Sequence, residues 1–572
     1  SSSTTAERGG RRPPEPTTTR KEQADMNGWE ALADILRREG VDYLFCFPSN
    51  PLIDVAARAG IRPILARTER TVVGMADGYS RYTNGERIGV CCVQAGPGTE
   101  NMYAGVAQAY GDSVPILVLP GQTGRNRLAM HPNFEALPNY GGVTKWLAQI
   151  NLVDRIPELT RRAFMHLRSG RPSPVLLEMA HDVMDEEFGG APSDYQPVRG
   201  ARSAADPDDV AAAVEALLAA DKPVLHVGQG VLWAQAWEEL REFAELVQVP
   251  VVTTLAGKSA FPEDHPLAAG TLANTSADPA IQLLDEADLV FGIGASFSKM
   301  PLSTPIPGGK VLVQQTIDPA DLNKEYAVDH TLLGDAQLVL RQLSAAVKEQ
   351  LGPDGRRAQT DAAATVGQLK ADWLAKWQPH LTSDDVPMSS YRVIWDLMHS
   401  VDLAQTIVTH DSGNPRDAIA PFWQSEIPRG YLGWGKSTQL GYGLPLVLGA
   451  KLAAPEKLAI HFLGDGAFGM CGLDYETAVR ERIPILAVLI NNSALGGYEK
   501  SMPYATEKYR TKYLSGDYAT VAKGLGAYSE RVEQPADIKP AIQRALSAIA
   551  DGQPALLECI THEEYSFSGR GG

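Results

Sequence analysis

From Met26 onward the chain alternates helical and extended periodicity. Trp29, Leu32, Ile35 and Leu36 recur on one helix face, Gly40 offers a C-cap, and residues 43–47 then read as a buried strand. Apolar runs of the same kind return at 88–93, 116–119 and 175–179. A second series follows at 224–227, 249–253, 289–293 and 311–314, and a third at 406–409, 459–463, 485–490 and 555–559. Short continuous apolar strands alternating with helices imply parallel sheets covered on both faces. The pattern therefore predicts an α/β protein of three doubly wound parallel-sheet domains, at 26–195, 205–350 and 386–562. Residues 351–385 read as a linker with a short helix around Trp373 and Trp377, and 563–572 as a C-terminal tail or lid. Residues 1–25, rich in Ser, Thr, Pro and Arg, read as a disordered tail, and their prolines oppose an amphipathic targeting helix.

Composition narrows the function classes. A length of 572 residues fits several domains at roughly 100–200 residues each. The formal charge of −17 opposes binding to nucleic acid or to an anionic membrane. No apolar stretch is long enough to span a bilayer. Cys46, Cys91, Cys92, Cys471 and Cys559 are odd in number and lack CxxC spacing. They read as buried reduced thiols of a cytoplasmic protein rather than a zinc site.

The chemistry concentrates in the third domain. One apolar strand runs into Gly464-Asp465-Gly466-Ala467, and the next runs into Asn491-Asn492. Both polar groups thus fall at carboxyl ends of parallel strands, where open α/β sheets bind ligands. Glycines let the backbone approach a diphosphate, and a carboxylate with an amide oxygen suits Mg²⁺. Gly-Asp-Gly alone is commonly a turn and Asn-Asn alone a cap. Their joint occurrence, 27 residues apart from Asp465 to Asn492, is the informative observation.

This arrangement resembles the signature of the thiamine diphosphate-dependent enzymes. The resemblance implies that the Asp465 and Asn492 side chains and the Ala494 carbonyl bind Mg²⁺, with Gly496 nearby in the cofactor site. Residues 67–81 look like the helix carrying the family glutamate, which makes Glu69 the partner of pyrimidine N1′. Residues 437–445 are similar to the segment that holds the cofactor bent, with Leu440 as the wedge and the Thr438 carbonyl as acceptor for the 4′-amine. Gly96-Pro97-Gly98 and the stretch from Asp112 to Gln122 also match the acetolactate synthase, oxalyl-CoA decarboxylase and 2-hydroxyacyl-CoA lyase branch. The likeness implies pyrimidine-binding, central and diphosphate-binding domains in that order. It also implies a homodimer or homotetramer in which Glu69 acts across the subunit interface.

Within the branch, local features favour an acyl-CoA substrate. Phe134-Glu135 resembles the aromatic-Glu pair of oxalyl-CoA decarboxylases, residues 410–414 resemble a stretch of the CoA-using members, and the end of the chain resembles a tail that closes over CoA. Asn414, Arg416 and Arg570 are then candidate CoA contacts, and Glu135, Glu499 and Tyr498 candidate proton-transfer groups. The primary expectation is a lyase that cleaves a 2-hydroxyacyl-CoA to an aldehyde or ketone plus formyl-CoA. The alternatives are an acetolactate synthase-like carboligase acting on 2-oxo acids such as pyruvate, and an FAD-dependent pyruvate oxidase-type enzyme. In the central domain Gly228, Gly294, Asp318 and Asp335 are candidates for ADP. FAD is less favoured, because residues 295–299 lack the arginine that flavin-binding synthases carry there.

Overall fold

The computed structural model describes residues 26–300, 302–356 and 360–569. The expected disordered tail and Arg570 lie outside the described residues. Three six-stranded sheets, parallel throughout, form three α/β domains. The first contains β1 (Tyr43–Cys46), β2 (Arg62–Leu65), β3 (Gly89–Val93), β4 (Ile116–Gln122), β5 (Trp146–Ile150) and β6 (Val175–Ala180). The second contains β7 (Pro223–Val227), β8 (Val251–Thr254), β9 (Ala268–Leu272), β10 (Leu289–Ile293), β11 (Val311–Thr316) and β12 (His330–Leu333). The third contains β13 (Thr406–His410), β14 (Tyr431–Leu432), β15 (Leu458–Gly464), β16 (Leu486–Asn491), β17 (Tyr528–Val532) and β18 (Ala555–Ile560).

The outer domains share one topology. Their orders, β2-β1-β3-β4-β6-β5 and β14-β13-β15-β16-β18-β17, are the same when each is counted from its own first strand. The central sheet runs β12-β11-β10-β7-β8-β9, the arrangement of dinucleotide-binding sheets, with its switch point between β7 and β10.

The third domain shares apolar cores with both others. One cluster joins Val224 and Val290 of the central sheet to Val408 and Ile460. Another joins Phe45 and Val73 to Leu444 and Leu463. The segment expected to be a linker with a short helix contains a 20-residue helix, Ala362–Leu381. Its Trp373 stacks on Phe422 with ring centroids 4.9 Å apart, so apolar burial extends this helix well beyond the two tryptophans that announced it.

The first and third domains meet through the helices Glu69–Tyr82 and Gly443–Ala453. Their backbones touch because glycines remove the intervening side chains. A Cβ on Gly78 would sit 1.9 Å from the Leu446 carbonyl oxygen, and one on Gly449 would sit 2.0 Å from that of Met75. Gly78→Ala is therefore expected to force the helices apart and cost about 2 kcal/mol or more. Gly367→Ala, on the exposed linker helix with nothing within 4 Å, should instead stabilise by roughly 0.5–1 kcal/mol. Denaturant melts of the two variants check both signs.

Candidate active site

β15 and β16 are neighbours with Gly464 opposite Ile490, so both polar motifs leave the sheet at the same edge. Asp465 opens the helix Asp465–Cys471 and is buried. Its Oδ1 accepts from the Gly466 amide at 2.8 Å, whereas its Oδ2 is buried with no hydrogen-bond partner. Burial pushes the carboxyl pKa up to about 6, and the amides of Gly466, Ser493 and Ala494 pull it back only in part. Asn492 Oδ1 accepts from the Ala494 amide at 3.1 Å, which fixes the turn that carries Ala494.

An orphaned carboxylate oxygen is costly unless something charged meets it. The donor types here, one carboxylate, one amide and one backbone carbonyl, fit a hard cation that completes its shell with phosphate oxygens. Among the described residues no cluster of three His, Cys, Asp or Glu forms a separate metal site.

The glycines beside the motif are close-packed. A Cβ on Gly466 would lie 3.0 Å from Leu495 Cδ2 and 3.6 Å from Leu440 Cδ2, so the expected wedge residue does reach the Gly-Asp-Gly turn. Ala467 is buried in the following turn. Gly464 faces Pro415, and a Cβ on Gly496 would lie 2.2 Å from Asn414 Nδ2. Asn414, expected as a CoA contact, thus packs against the segment just beyond Asn492.

The wedge loop is held from below. Thr438 adopts φ +56°, and its carbonyl accepts from the Ser412 hydroxyl at 2.9 Å. Asp411 Oδ1 accepts from the Ser412 and Gly441 amides, both at 2.8 Å, while its Oδ2 accepts from the Gly443 amide at 3.2 Å. Sequence reasoning missed Asp411 and Ser412 because they lie in the stretch assigned to CoA. The position of Asp411 at the end of β13 was the available signal.

Glu69 is the first residue of its helix and 7% exposed. Asn101, from the helix Pro97–Gly111, donates to its Oε2 at 3.3 Å, a contact with no sequence signal.

Several expected groups fall elsewhere. Arg416 is 5% exposed and ion-paired with its neighbour Asp417 at 2.8 Å, so burial and pairing remove it as a free cation for CoA phosphates. Glu499 pairs with Lys512 at 2.9 Å, which lowers its pKa, the wrong direction for a group that must exchange a proton near neutrality. Tyr498 is 56% exposed on the adjoining turn. Glu135 precedes a short helix, and its Oε1 accepts from the Ala129 amide at 2.5 Å. The tail is docked on the central domain: Ser568 accepts from Trp373 Nε1 and donates to the Ser276 carbonyl, and the Gly569 amide donates to Asp278.

In the central domain a cavity of about 500 Å³ opens at the switch point, and Gly228, Gly294, Asp318 and Asp335 all line it. A Cβ on Gly228 would meet the Gly294 carbonyl at 2.2 Å, so these two turns pack on one another. Asp335 caps the next helix and pairs with Arg202 at 2.5 Å; Asp318 accepts from the Ala320 amide. His226 lines the same cavity with a buried, unpartnered Nδ1, and burial lowers its pKa to about 4. The five cysteines are buried and unpaired, and among the described residues no helix is long and apolar enough to cross a membrane.

Comparison with known proteins agrees with this geometry. Residues 26–140 match the thiamine pyrophosphate enzyme N-terminal TPP binding domain, 210–343 the central domain and 411–559 the C-terminal TPP binding domain. The chain is 31% identical to an acetolactate synthase large subunit of Corynebacterium glutamicum, covering 94% of this chain and 87% of that one. It is 31% identical to a glyoxylate carboligase of Escherichia coli O157:H7, covering 95% of each chain. It is 28% identical to the acetolactate synthase isozyme 3 large subunit of Escherichia coli K12, covering 96% and 97%.

The unmet Asp465 oxygen yields a test. Asp465→Asn removes a buried charge and is expected to leave the unliganded protein at least as stable as the parent. Adding Mg²⁺ with thiamine diphosphate at a hundredfold excess over Kd should stabilise the parent by about 2.7 kcal/mol and the variant by much less. Thermal melts with and without both ligands check this.

Proposed function

The chain belongs to the thiamine pyrophosphate enzymes, in their acetolactate synthase branch, and on that premise we propose that it is a carboligase that couples 2-oxo acids. The supporting observation is the set of relatives: acetolactate synthases and a glyoxylate carboligase run along nearly the whole chain. The expected 2-hydroxyacyl-CoA lyase gains no such support, and its proposed cation Arg416 is already neutralised by Asp417. A flavin-dependent oxidase is likewise not favoured.

When bound, thiamine diphosphate supplies a nucleophilic carbon and an electron sink for making or breaking a carbon–carbon bond beside a carbonyl. The residues of the chain supply its setting. Asp465, Asn492 and the Ala494 carbonyl would hold Mg²⁺. Leu440 packs beside Gly466, the Thr438 carbonyl would accept a hydrogen bond from the cofactor's 4′-amine, and Glu69 would share a proton with the cofactor's pyrimidine ring. Glu69 serves the cofactor held by a second copy of the chain, so a homodimer is the smallest active unit and a homotetramer is compatible with it. The central cavity we read as an ADP-sized nucleotide site, on account of its switch-point glycines and the polar groups of Gln229 and His226.

Incubation with Mg²⁺, thiamine diphosphate and pyruvate or glyoxylate should release one CO2 for every two molecules consumed and give the coupled hydroxy-oxo acid. Formyl-CoA from a 2-hydroxyacyl-CoA, with no coupling of 2-oxo acids, would replace this reading with the lyase. Glu69→Gln is expected to lower kcat roughly 10²-fold or more. Mixed subunits of Glu69→Gln and Asp465→Asn should regain activity, because a mixed dimer holds one site with both residues intact; no recovery would place both residues in one chain's site. ADP should raise the melting temperature and FAD should not.

A further inference from the structure

The helix that carries Glu69 is tied down by a residue from another domain. Thr68 caps its start, its hydroxyl oxygen accepting from the Thr71 amide at 3.2 Å. Asp474 closes the same turn from the third domain. It is 1% exposed and ends the turn Gly472–Asp474, which directly follows the helix Asp465–Cys471. Its Oδ1 accepts from the Arg67 amide at 2.9 Å and from the Thr477 hydroxyl at 2.8 Å. Its Oδ2 accepts from the Thr71 hydroxyl at 2.6 Å. Residues 67 and 71 bracket Glu69, so a single buried carboxylate holds the backbone amide on one side of it and a side-chain hydroxyl on the other. That carboxylate sits nine residues beyond Asp465 on continuous helical chain. Within one chain, the proposed metal ligand of one site and the proposed activating carboxyl of the neighbouring site are therefore joined by one short path.

We propose that Asp474 is a positioning residue for Glu69 and ties its placement to the strand end where Asp465 lies. This rests on the reading of Glu69 given above. A carboxyl that shares a proton with a ring nitrogen acts only at hydrogen-bond range, and displacement by about 1 Å is enough to cost a large factor in rate. Asp474 touches neither the cofactor nor the substrate in this account. Its loss should therefore slow proton loss from the cofactor while leaving cofactor binding in place.

The test uses the full chain loaded with Mg²⁺ and saturating thiamine diphosphate. Exchange of the cofactor's C2 proton for deuterium is followed by acid quench and NMR, alongside the cofactor dissociation constant and the melting temperature. Glu69→Gln sets the floor, with exchange slowed about a hundredfold. Asp474→Ala is expected to slow exchange by about tenfold or more, with the dissociation constant within about threefold of the parent. Asp474→Asn, which keeps an acceptor for the Arg67 amide, should recover most of the rate. Thr71→Val removes one bond without leaving that amide unmet, and it decides the matter if Asp474→Ala does not fold; it should slow exchange by about threefold or more. Parent-like exchange in the Asp474 and Thr71 variants, beside a slow Glu69→Gln, overturns the inference and leaves Glu69 in its role. Parent-like exchange in Glu69→Gln overturns the reading of Glu69 itself. Loss of cofactor affinity in step with exchange also overturns it, reducing Asp474 to a support of the binding site.

Discussion

The contact between the helices Glu69–Tyr82 and Gly443–Ala453 governs how the site is assembled. With no side chain at Gly78 and Gly449, two backbones meet, and the groups flanking them are forced into a dry interface. Arg81 is fully buried there, paired with Asp77 at 2.8 Å and Asp112 at 3.3 Å, and donates to the Gly433 carbonyl at 3.0 Å. Asp112 in turn accepts from the Lys436 amide at 3.0 Å, just before the wedge loop. Such a buried ionic cluster is weak evidence for net stability, because desolvation offsets much of the attraction. Its effect is registry: the loop carrying Thr438 and Leu440 has one position relative to the first domain that satisfies Asp112.

The same logic explains what could be read from the residues alone. Interior strands of a parallel sheet are apolar on both faces, and all twelve appear in the sequence as uninterrupted runs. The six edge strands, β2, β5, β9, β12, β14 and β17, escaped notice. Most of these mix buried and half-exposed positions: β17 reads Tyr-Ser-Glu-Arg-Val, and β2 contains Arg62 and Pro63. β14 is only two residues long. An edge is defined by what lies beyond it, and a one-dimensional pattern does not carry that.

The site divides along a similar line. Asp465 and Asn492 were legible because each directly follows an apolar strand, a local signal, and Leu440 through the family likeness of residues 437–445. Asn101 and Asp474 were not, because each acts through a partner brought near by the fold, whereas Asp411 carried a strand-end signal that pointed elsewhere. Arg416 is the converse error. Its charge suggested a phosphate contact, but the adjacent Asp417, visible in the sequence all along, is the group that takes it.

The loop beyond Asn492 and the C-terminal tail are held by the least local contacts of all. Lys512 is buried and binds both Glu499 of the loop beyond Asn492 and Glu563 of the C-terminal tail, each at 2.9 Å. Loop and tail are thereby joined through one buried ammonium group. The tail continues to Ser568, whose bonds to Trp373 and Ser276 pin it to the linker helix and the central domain. The placement of the tail thus depends on the Lys512 and Trp373 side chains and the Ser276 carbonyl, which lie far from it and from one another in sequence.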